Sequence, residues 1–216
     1  MSDDELDRRY YLGHGWSVSG YRGVPFSGVA LLAYDIPFTR ETFRQTFGMN
    51  NTGILQQLLG ERFSPALSTE IGELKEERFR VAIEGQVQLL AGVRPLLEEL
   101  HELGLAQAVG SSAPQANIDA IVDALGLAPY FDVLVSAADM PGKPDPAVFL
   151  TAARLLDVKP SRCVVLEDAV AGVTAARRAG MKCIAVTTTN PASTLEEADL
   201  IVDRLDELNA ARILAL

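Results

Sequence analysis

Cysteine, basic charge and long apolar runs are all scarce in this sequence of 216 residues. The two cysteines, Cys163 and Cys183, each lie inside an apolar run, which indicates buried strand residues and not a disulfide or a metal site. Lysine and arginine number 19 against 29 aspartates and glutamates, giving a net charge of −10. This balance argues against nucleic acid as a partner, because phosphate backbones are bound by clustered basic side chains.

No apolar run approaches the length of a membrane span, so we expect no membrane partner. The acidic start, MSDDELDRRYY, lacks the apolar core of a signal peptide, and we expect a cytoplasmic protein. Hydrophobic residues make up 48% and charged residues 22%, which is ordinary for a globular protein. The length suits one α/β core with a small accessory domain.

The chain divides into three regions of different texture. Residues 1–30 show little periodicity and many glycines, whereas residues 31–90 predict helices after Thr39, after Asn51 and over residues 68–84. Residues 91–216 alternate amphipathic helical patterns with short apolar strands such as AQAVGSS, DVLVSA, CVVLED and KCIAVTT. Repeated βα units predict a doubly wound, parallel, Rossmann-like α/β core, with the helices of 31–90 as a separate bundle.

Ligands of such sheets bind at the carboxyl ends of the strands, so the residues that follow each strand are candidates for chemistry. Ser111 and Ser112 end the first strand of the core region, just before a helix, where a hydroxyl and free backbone N–H groups can hold a phosphate oxygen. A simple helix cap is the alternative. Lys143 lies between Gly142 and Pro144 on a stiff loop, from which it could neutralise an anion or remain a solvated lysine.

Glu167 and Asp168 end the strand CVVLED. Two adjacent carboxylates at a strand end suit a hard cation such as Mg²⁺. A helix N-cap by Asp168 is the alternative, and it is compatible with metal binding.

Three motifs occur in order at these strand ends: VGSSAP, GKPDP and LEDAVAGVTAARRAG. They resemble the second, third and fourth motifs of the haloacid dehalogenase (HAD) superfamily, in the subgroup with an α-helical cap that includes β-phosphoglucomutases and sugar-phosphate phosphatases. The resemblance covers roughly residues 31–208. It implies an Mg²⁺-dependent enzyme for a small phosphorylated metabolite, with a small helical cap on the core.

The resemblance also implies roles for individual residues. Ser111 would bind the transferring phosphoryl group, Lys143 would bridge nucleophile and phosphate, and Glu167 and Asp168 would position Mg²⁺, Asp168 counting among the catalytic residues. The stretches IPFTRETFRQTFGMNN and KEERFR resemble parts of the cap. Ser112, Asn51 and Lys75 then fall near substrate, although Asn51 and Lys75 are also consistent with plain surface residues.

The family's first motif, an apolar strand followed by D-x-D-G, is missing. Its first aspartate attacks phosphorus and its second acts as general acid and base. Residues 8–30 instead read RRYYLGHGWSVSGYRGVPFSGVA. With permitted codons and the first base dropped, the same nucleotides encode VVIIWDMDGVLVDTEEFHFQAWR, which contains the whole motif.

We therefore interpret residues 1–30 as a displaced N-terminal segment, with a base gained or lost on each side of 8–30. The displaced segment should leave a gap where the first strand belongs, and we expect RRYYL or WSVSGY to fill only part of it. The leading functional hypothesis is a phosphatase of sugar phosphates or similar metabolites. A phosphoryl mutase of the β-phosphoglucomutase type is the alternative, since EEFHFQAW in the restored string resembles its early cap helix, whereas SSAPQ departs from its second motif. A catalytically inactive, phosphate-binding or misfolded product is the third hypothesis, and it applies to the chain as written.

Overall fold

The computed structural model describes most of the chain beyond residue 48 and short stretches before it. The described residues are 9–12, 34–37, 39, 42, 45–46, 49–83 and 87–216. In this part of the chain, no helix combines the length and the apolar character needed to cross a bilayer.

Within the described residues, the strands of the single sheet are β1 Arg9–Leu12, β2 Gln107–Ser111, β3 Val133–Ser136, β4 Cys163–Glu167, β5 Lys182–Val186 and β6 Leu200–Val202. Their order across the sheet is β3-β2-β1-β4-β5-β6, and every neighbouring pair is parallel. The first of the described strands therefore lies in the centre of the sheet. The parallel sheet predicted from the βα alternation is confirmed.

The helices described are α1 Asn51–Leu59, α2 Pro65–Ile83, α3 Val93–Glu102, α4 Gln115–Ala124, α5 Ala147–Leu155, α6 Val170–Arg178 and α7 Ala210–Leu214. They cover both faces of the sheet. Successive residues of a strand point to opposite faces, so each strand contacts helices on both sides. On β4, Val164 and Leu166 pack in an apolar cluster with residues of α3 and α4, whereas Cys163 and Val165 pack with residues of α5 and α6. This is the doubly wound arrangement expected from the sequence. Cys163 and Cys183 are buried, free strand residues, as predicted.

The helical segment (residues 49–83) contains α1 and α2. Its Leu55, Leu59 and Ile71 form a small apolar core together with Ile36, which precedes the segment. The boundaries of its helices differ slightly from those predicted. Asn50, not Asn51, is the cap of α1, and its side-chain oxygen accepts from the Gly53 N–H at 2.9 Å.

The second helix of this segment, α2, begins three residues earlier than predicted, at Pro65. Proline is favoured at the first helical position because it has no N–H to satisfy there. The hydroxyl of Ser64 accepts from the Leu67 N–H at 3.2 Å, which closes the helix start. Before the segment, residues 42 and 45–46 are helical, and the Thr39 hydroxyl accepts from the Thr42 N–H at 3.1 Å. The predicted helix after Thr39 otherwise lies outside the described residues.

The sequence RYYL forms β1 and occupies the central position of the sheet. It pairs with β2 and β4 in register, with Leu12 opposite both Val109 and Leu166. The gap that we expected there is therefore filled by Arg9–Leu12. A parallel ladder is made of backbone groups, and tyrosine has a high β-propensity, so the displaced sequence still forms a strand. WSVSGY and the remainder of residues 13–30 lie outside the described residues.

Candidate active site

Several strands end at the same edge of the sheet, and the chemically active side chains follow them. Ser111 is opposite Ser136 in the register of β2 and β3, and Glu167 is opposite Ala185 in that of β4 and β5. Ser111 and Glu167 end the two strands that flank β1. Two strands on either side of a third are about 10 Å apart, given a spacing near 4.8 Å. The site is therefore built around the carboxyl end of β1.

Lys143 and Glu167 form a buried ion pair at this edge. The ammonium of Lys143 bonds Oε1 of Glu167, both side chains are fully buried, and the ammonium also lies 4.6 Å from the centre of the Phe149 ring. A buried ion pair loses much hydration energy, and its attraction offsets the loss only with good geometry and additional hydrogen bonds. Lys143 is thus a fixed, inward-facing cation and not the solvated loop lysine that the sequence left open.

The loop that carries Lys143 is attached to the helical segment through Asn50. The side-chain nitrogen of Asn50 donates to the carbonyl oxygens of Met140 and Ala137, at 3.1 and 3.4 Å. Gly142 leaves room for this contact, since a Cβ there would lie 3.1 Å from the Asn50 amide carbon. One side chain therefore caps α1 and holds the loop between β3 and Lys143.

Glu167 is held on its other side by backbone N–H groups. Its Oε2 accepts from the N–H of Asp168 at 2.9 Å and of Ala169 at 3.0 Å, at the N-terminus of α6. The exposed amides of a helix start favour a negative charge. Gly172, one turn into the helix, makes space for the carboxylate, because a Cβ at that position would lie 2.1 Å from the Glu167 carboxyl carbon.

Asp168 is fully buried and has one satisfied and one unsatisfied carboxylate oxygen. The hydroxyls of Thr188 and Thr189 donate to Oδ2 at 2.9 and 2.7 Å. Oδ1 is buried without a hydrogen-bond partner among the described residues. Burial, reinforced by the negative charge of Glu167, raises the pKa of Asp168 to about 6, although the two threonine hydrogen bonds and Lys143 oppose the shift.

This unpartnered oxygen is the observation against which a cation can be tested. A buried, unpaired carboxylate oxygen is costly, and hard cations such as Mg²⁺ bind through oxygen ligands. Oδ1 of Asp168 therefore fits Mg²⁺ in its chemistry, whereas both oxygens of Glu167 already bond Lys143 or backbone amides. In the described part of the chain, no group of three or more His, Cys, Asp or Glu residues is arranged to hold a metal, so these two carboxylates form only part of a ligand set.

Ser111 and Ser112 are both buried at the end of β2. The Ser111 hydroxyl accepts from the Ala113 N–H at 3.0 Å, so it takes part in the turn that leads into α4. This local bond is of the kind expected for a cap, and it leaves the hydroxyl at the same sheet edge as Glu167. The phosphate-binding roles of Ser111 and Ser112 stay predictions.

Asn51 and Lys75 belong to a second polar cluster, between the helical segment and the core. The Lys75 ammonium donates to Oδ1 of Asn51 at 2.7 Å and bonds Glu76, while the Asn51 amide donates to Oε1 of Glu76 at 2.8 Å. Glu76 also accepts from the Asn117 amide on α4. Burial alone would raise the pKa of Glu76, but the charge of Lys75 and these hydrogen bonds together hold it below its ordinary value. Contact of Asn51 and Lys75 with substrate stays a prediction.

Sequence reasoning missed three residues around Asp168 and two in the second cluster. The threonines after β5 were interpreted only as the end of a strand. Their hydroxyls, next to a strand end that carries carboxylates, could have identified them as partners of Asp168. Glu76 and Asn117 had no such signal, because the hydrogen bond between them joins residues 41 positions apart. The missed residues are Thr188, Thr189 and Asn190, and Glu76 and Asn117.

Comparison with known proteins shows a consistent likeness. Residues 24–180 match the family of haloacid dehalogenase-like hydrolases. The chain is 33% identical over 167 residues to the chloroplastic 5-amino-6-(5-phospho-D-ribitylamino)uracil phosphatase of Arabidopsis thaliana, covering 77% of this chain and 45% of that protein. It is 30% identical over 182 residues to the β-phosphoglucomutase of Bacillus subtilis, covering 81% of this chain and 78% of that protein. The fold matches a mutant CbbY of Rhodobacter sphaeroides in complex with xylulose-(1,5)bisphosphate, with a TM-score of 0.81 and 25% identity, over 94% of this chain and 97% of that one. The chain thus spans less than half the length of the Arabidopsis relative.

Proposed function

Because the chain belongs to the haloacid dehalogenase-like hydrolase family, we propose that it derives from a cytoplasmic, Mg²⁺-dependent phosphatase of small phosphorylated metabolites, in particular sugar phosphates. The observation that carries the proposal is the buried cluster of Lys143, Glu167 and Asp168 at the carboxyl edge of the sheet, where Oδ1 of Asp168 has no hydrogen-bond partner in the described part of the chain. A fixed cation beside two carboxylates is suited to gathering a phosphoryl group and a metal ion at one place.

Each residue has a part in this proposal. Glu167 and Asp168 hold Mg²⁺, which when bound neutralises charge on the phosphoryl oxygens. Lys143 bridges the attacking carboxylate and the phosphoryl group, and the Ser111 hydroxyl donates to a phosphoryl oxygen. The substrate's organic part lies toward the helical segment, where Ser112, Asn51 and Lys75 contact it. Residues 31–90, which include this segment, act as the cap, and residues 91–216 form the core.

The register of β1 supports a position for the missing nucleophile. Leu12 is the last residue of β1 and is level with Leu166, the residue before Glu167. In the restored reading frame, an aspartate follows directly in the sequence, at position 13, and a second aspartate stands at position 15. The family match begins at residue 24, downstream of both positions.

With those aspartates the reaction balances without another reactant. The carboxylate at position 13 attacks phosphorus, the ester P–O bond breaks, and the carboxyl group at position 15 gives its proton to the leaving alkoxide. Water, deprotonated by the carboxylate at 15, then releases phosphate. Gly13 and Gly15 of the chain as written supply neither group, so this chain is inactive in our proposal.

A phosphoryl mutase is the second candidate, favoured by the β-phosphoglucomutase of Bacillus subtilis, which the chain matches over most of both lengths. A mutase returns the phosphoryl group from the enzyme to a second hydroxyl of the sugar, whereas a phosphatase passes it to water. The two functions therefore differ in their products from one sugar phosphate: an isomer or free inorganic phosphate.

The test compares the chain as written with a chain whose residues 8–30 are replaced by VVIIWDMDGVLVDTEEFHFQAWR. We expect the restored chain to release phosphate from an aryl phosphate and from sugar phosphates with Mg²⁺, and the written chain to be slower by more than about 10⁴-fold, because it lacks the nucleophile. Folding of both chains is checked by circular dichroism. Mg²⁺-dependent turnover by the written chain, abolished in Asp168→Ala, would show that another group is the nucleophile, and an inactive restored chain would refute the phosphatase proposal.

A further inference from the structure

The turn after β5 lies directly over Asp168 because of the sheet register. Glu167 pairs with Ala185, so the residues beyond β5 run beside the residues beyond β4. The N–H of Thr187 still bonds the Val202 carbonyl at 3.0 Å, which keeps Thr187 on the side of β6. The next residues, 188–190, turn away from β6 and reach Asp168.

Three side chains of this turn hold Asp168 in one orientation. Thr188 and Thr189 both donate to Oδ2, and the Asn190 amide donates to the Asp168 main-chain carbonyl at 2.8 Å. Oδ1 receives no hydrogen bond among the described residues and is buried. The carboxylate is thus asymmetric: one oxygen is saturated by two hydroxyls, and the other is available to a ligand.

This asymmetry bears on which cation the site accepts. Mg²⁺ requires a compact octahedron and binds carboxylates through single oxygens, whereas Ca²⁺ takes six to eight oxygens and often both oxygens of one carboxylate. Because Oδ2 accepts from two hydroxyls, Asp168 can bind a cation through Oδ1 alone. Bidentate coordination would require breaking those two hydrogen bonds.

We propose that Thr188 and Thr189 are positioning residues that make Asp168 a one-oxygen ligand and so select Mg²⁺ over Ca²⁺. The inference rests on the metal site of the proposed function. It adds a determinant of ion selectivity from a part of the chain that carries no ligand of its own.

The test measures metal affinity and not turnover. Binding of Mn²⁺ to the unaltered chain is followed by the loss of the free-ion signal in electron paramagnetic resonance, and Mg²⁺ and Ca²⁺ are added as competitors. Thr188→Val and Thr189→Val, singly and together, remove the hydroxyls at nearly constant shape. We expect the Mg²⁺ affinity of the double variant to fall about tenfold or more, the usual range for lost partners of metal ligands, and the Ca²⁺ affinity to fall less, so that the ratio of the two decreases.

Thr187→Val is the matched control, because the Thr187 hydroxyl donates to Asp203 at 2.8 Å on the protein surface. Thr188→Ser and Thr189→Ser keep the donors and should keep the ratio. If the double variant does not fold, the single variants carry the test, since each retains one hydroxyl on Oδ2.

Two results would overturn the inference. Equal weakening of Mg²⁺ and Ca²⁺ would assign the threonines a purely structural role, and an unaltered chain that binds no Mn²⁺ would remove the site. Equal weakening leaves the proposed phosphatase activity untouched. An absent metal site would count against both proposals, and phosphate release by the restored chain then tests the activity separately.

Discussion

Among the described residues, two lysine–glutamate pairs lie in polar clusters that differ in how completely their carboxylates are hydrogen-bonded. Lys143 and Glu167 at the sheet edge are fully buried, whereas the side chains of Lys75 and Glu76 between the helical segment and the core are 24% and 8% exposed. Both oxygens of Glu76 bond described partners. Beside Glu167, Asp168 keeps an oxygen with none.

The difference separates a cluster that attaches two parts of the chain from a cluster prepared for a ligand. This network stabilises the contact between α2 and α4, and neither oxygen of its carboxylate, Glu76, lacks a hydrogen-bond partner. A buried carboxylate with an unpaired oxygen destabilises the protein until something binds it. The pKa values of the two carboxylates also shift in opposite directions: that of Asp168 is raised to about 6, and that of Glu76 is lowered.

Removal of the lysine in each pair is the strongest test of the contrast. Lys143→Met leaves Glu167 buried without its cation, and we expect the free energy of unfolding to fall by about 3–5 kcal/mol. Lys75→Met should cost less than about 1 kcal/mol, because the Lys75 side chain is partly exposed and Glu76 keeps its two amide donors. Urea unfolding of both variants measures the difference, and equal losses would contradict the contrast.

Two glycine-to-alanine substitutions should change the free energy of unfolding in opposite directions. Gly172→Ala places a methyl group on the Glu167 carboxylate, which Lys143 and two backbone amides hold in place, so we expect a loss of about 1–3 kcal/mol from overpacking. Gly72→Ala on α2 meets the Asn51 amide nitrogen at 3.4 Å, an ordinary contact. There the reduced freedom of the unfolded chain should stabilise the protein by about 0.5–1 kcal/mol. The melting temperatures of the two variants, compared with that of the unaltered chain, test both expectations. Stabilisation by Gly172→Ala would mean that Glu167 moves freely.

Acid should weaken the second cluster through protonation of Glu76, and the loss of stability should be smaller than for the substitutions at Lys143 and Gly172. The pKa of Glu76 is held below its ordinary value of 4.5, so its stabilisation is fully present above that pH and is lost as pH falls through the lowered pKa. Glu76→Gln should cost about 1 kcal/mol near pH 7, as for one net hydrogen bond. The gap between the two chains should close toward pH 3. Urea titrations at a series of pH values measure it, and a gap that widens in acid would give the shift the opposite sign.

Local patterns were sufficient to predict much of the fold. The βα alternation predicted a parallel, doubly wound sheet, because strand residues such as Val164 and Val165 are apolar on both faces. Gly60 after α1 and Gly104 after α3 have positive φ angles of 52° and 70°, as their positions after predicted helices indicated. Boundaries were less accurate at the start of α2, where a serine and a proline together set the first turn.

The candidate site was predictable only where a polar side chain follows a strand. Lys143 and Glu167 were found in this way, but their direct contact was not, because it depends on how the loop from β3 folds back. The threonines over Asp168 require the pairing of β4 with β5, and the bond between Glu76 and Asn117 requires the placement of α2 on α4. Such contacts join residues that no local pattern relates.

The central position of β1 has a consequence for the order of folding. Arg9–Leu12 is synthesised before both of its partners: β2 follows only after the helical segment, and β4 only after β2, β3 and the helices between them. Pairings between residues so distant in sequence form slowly, since a long loop must close before any contact compensates for its entropy. The first strand is therefore among the last parts of the sheet to find its partners, and until then the edges of β2 and β4 that it will cover stay open.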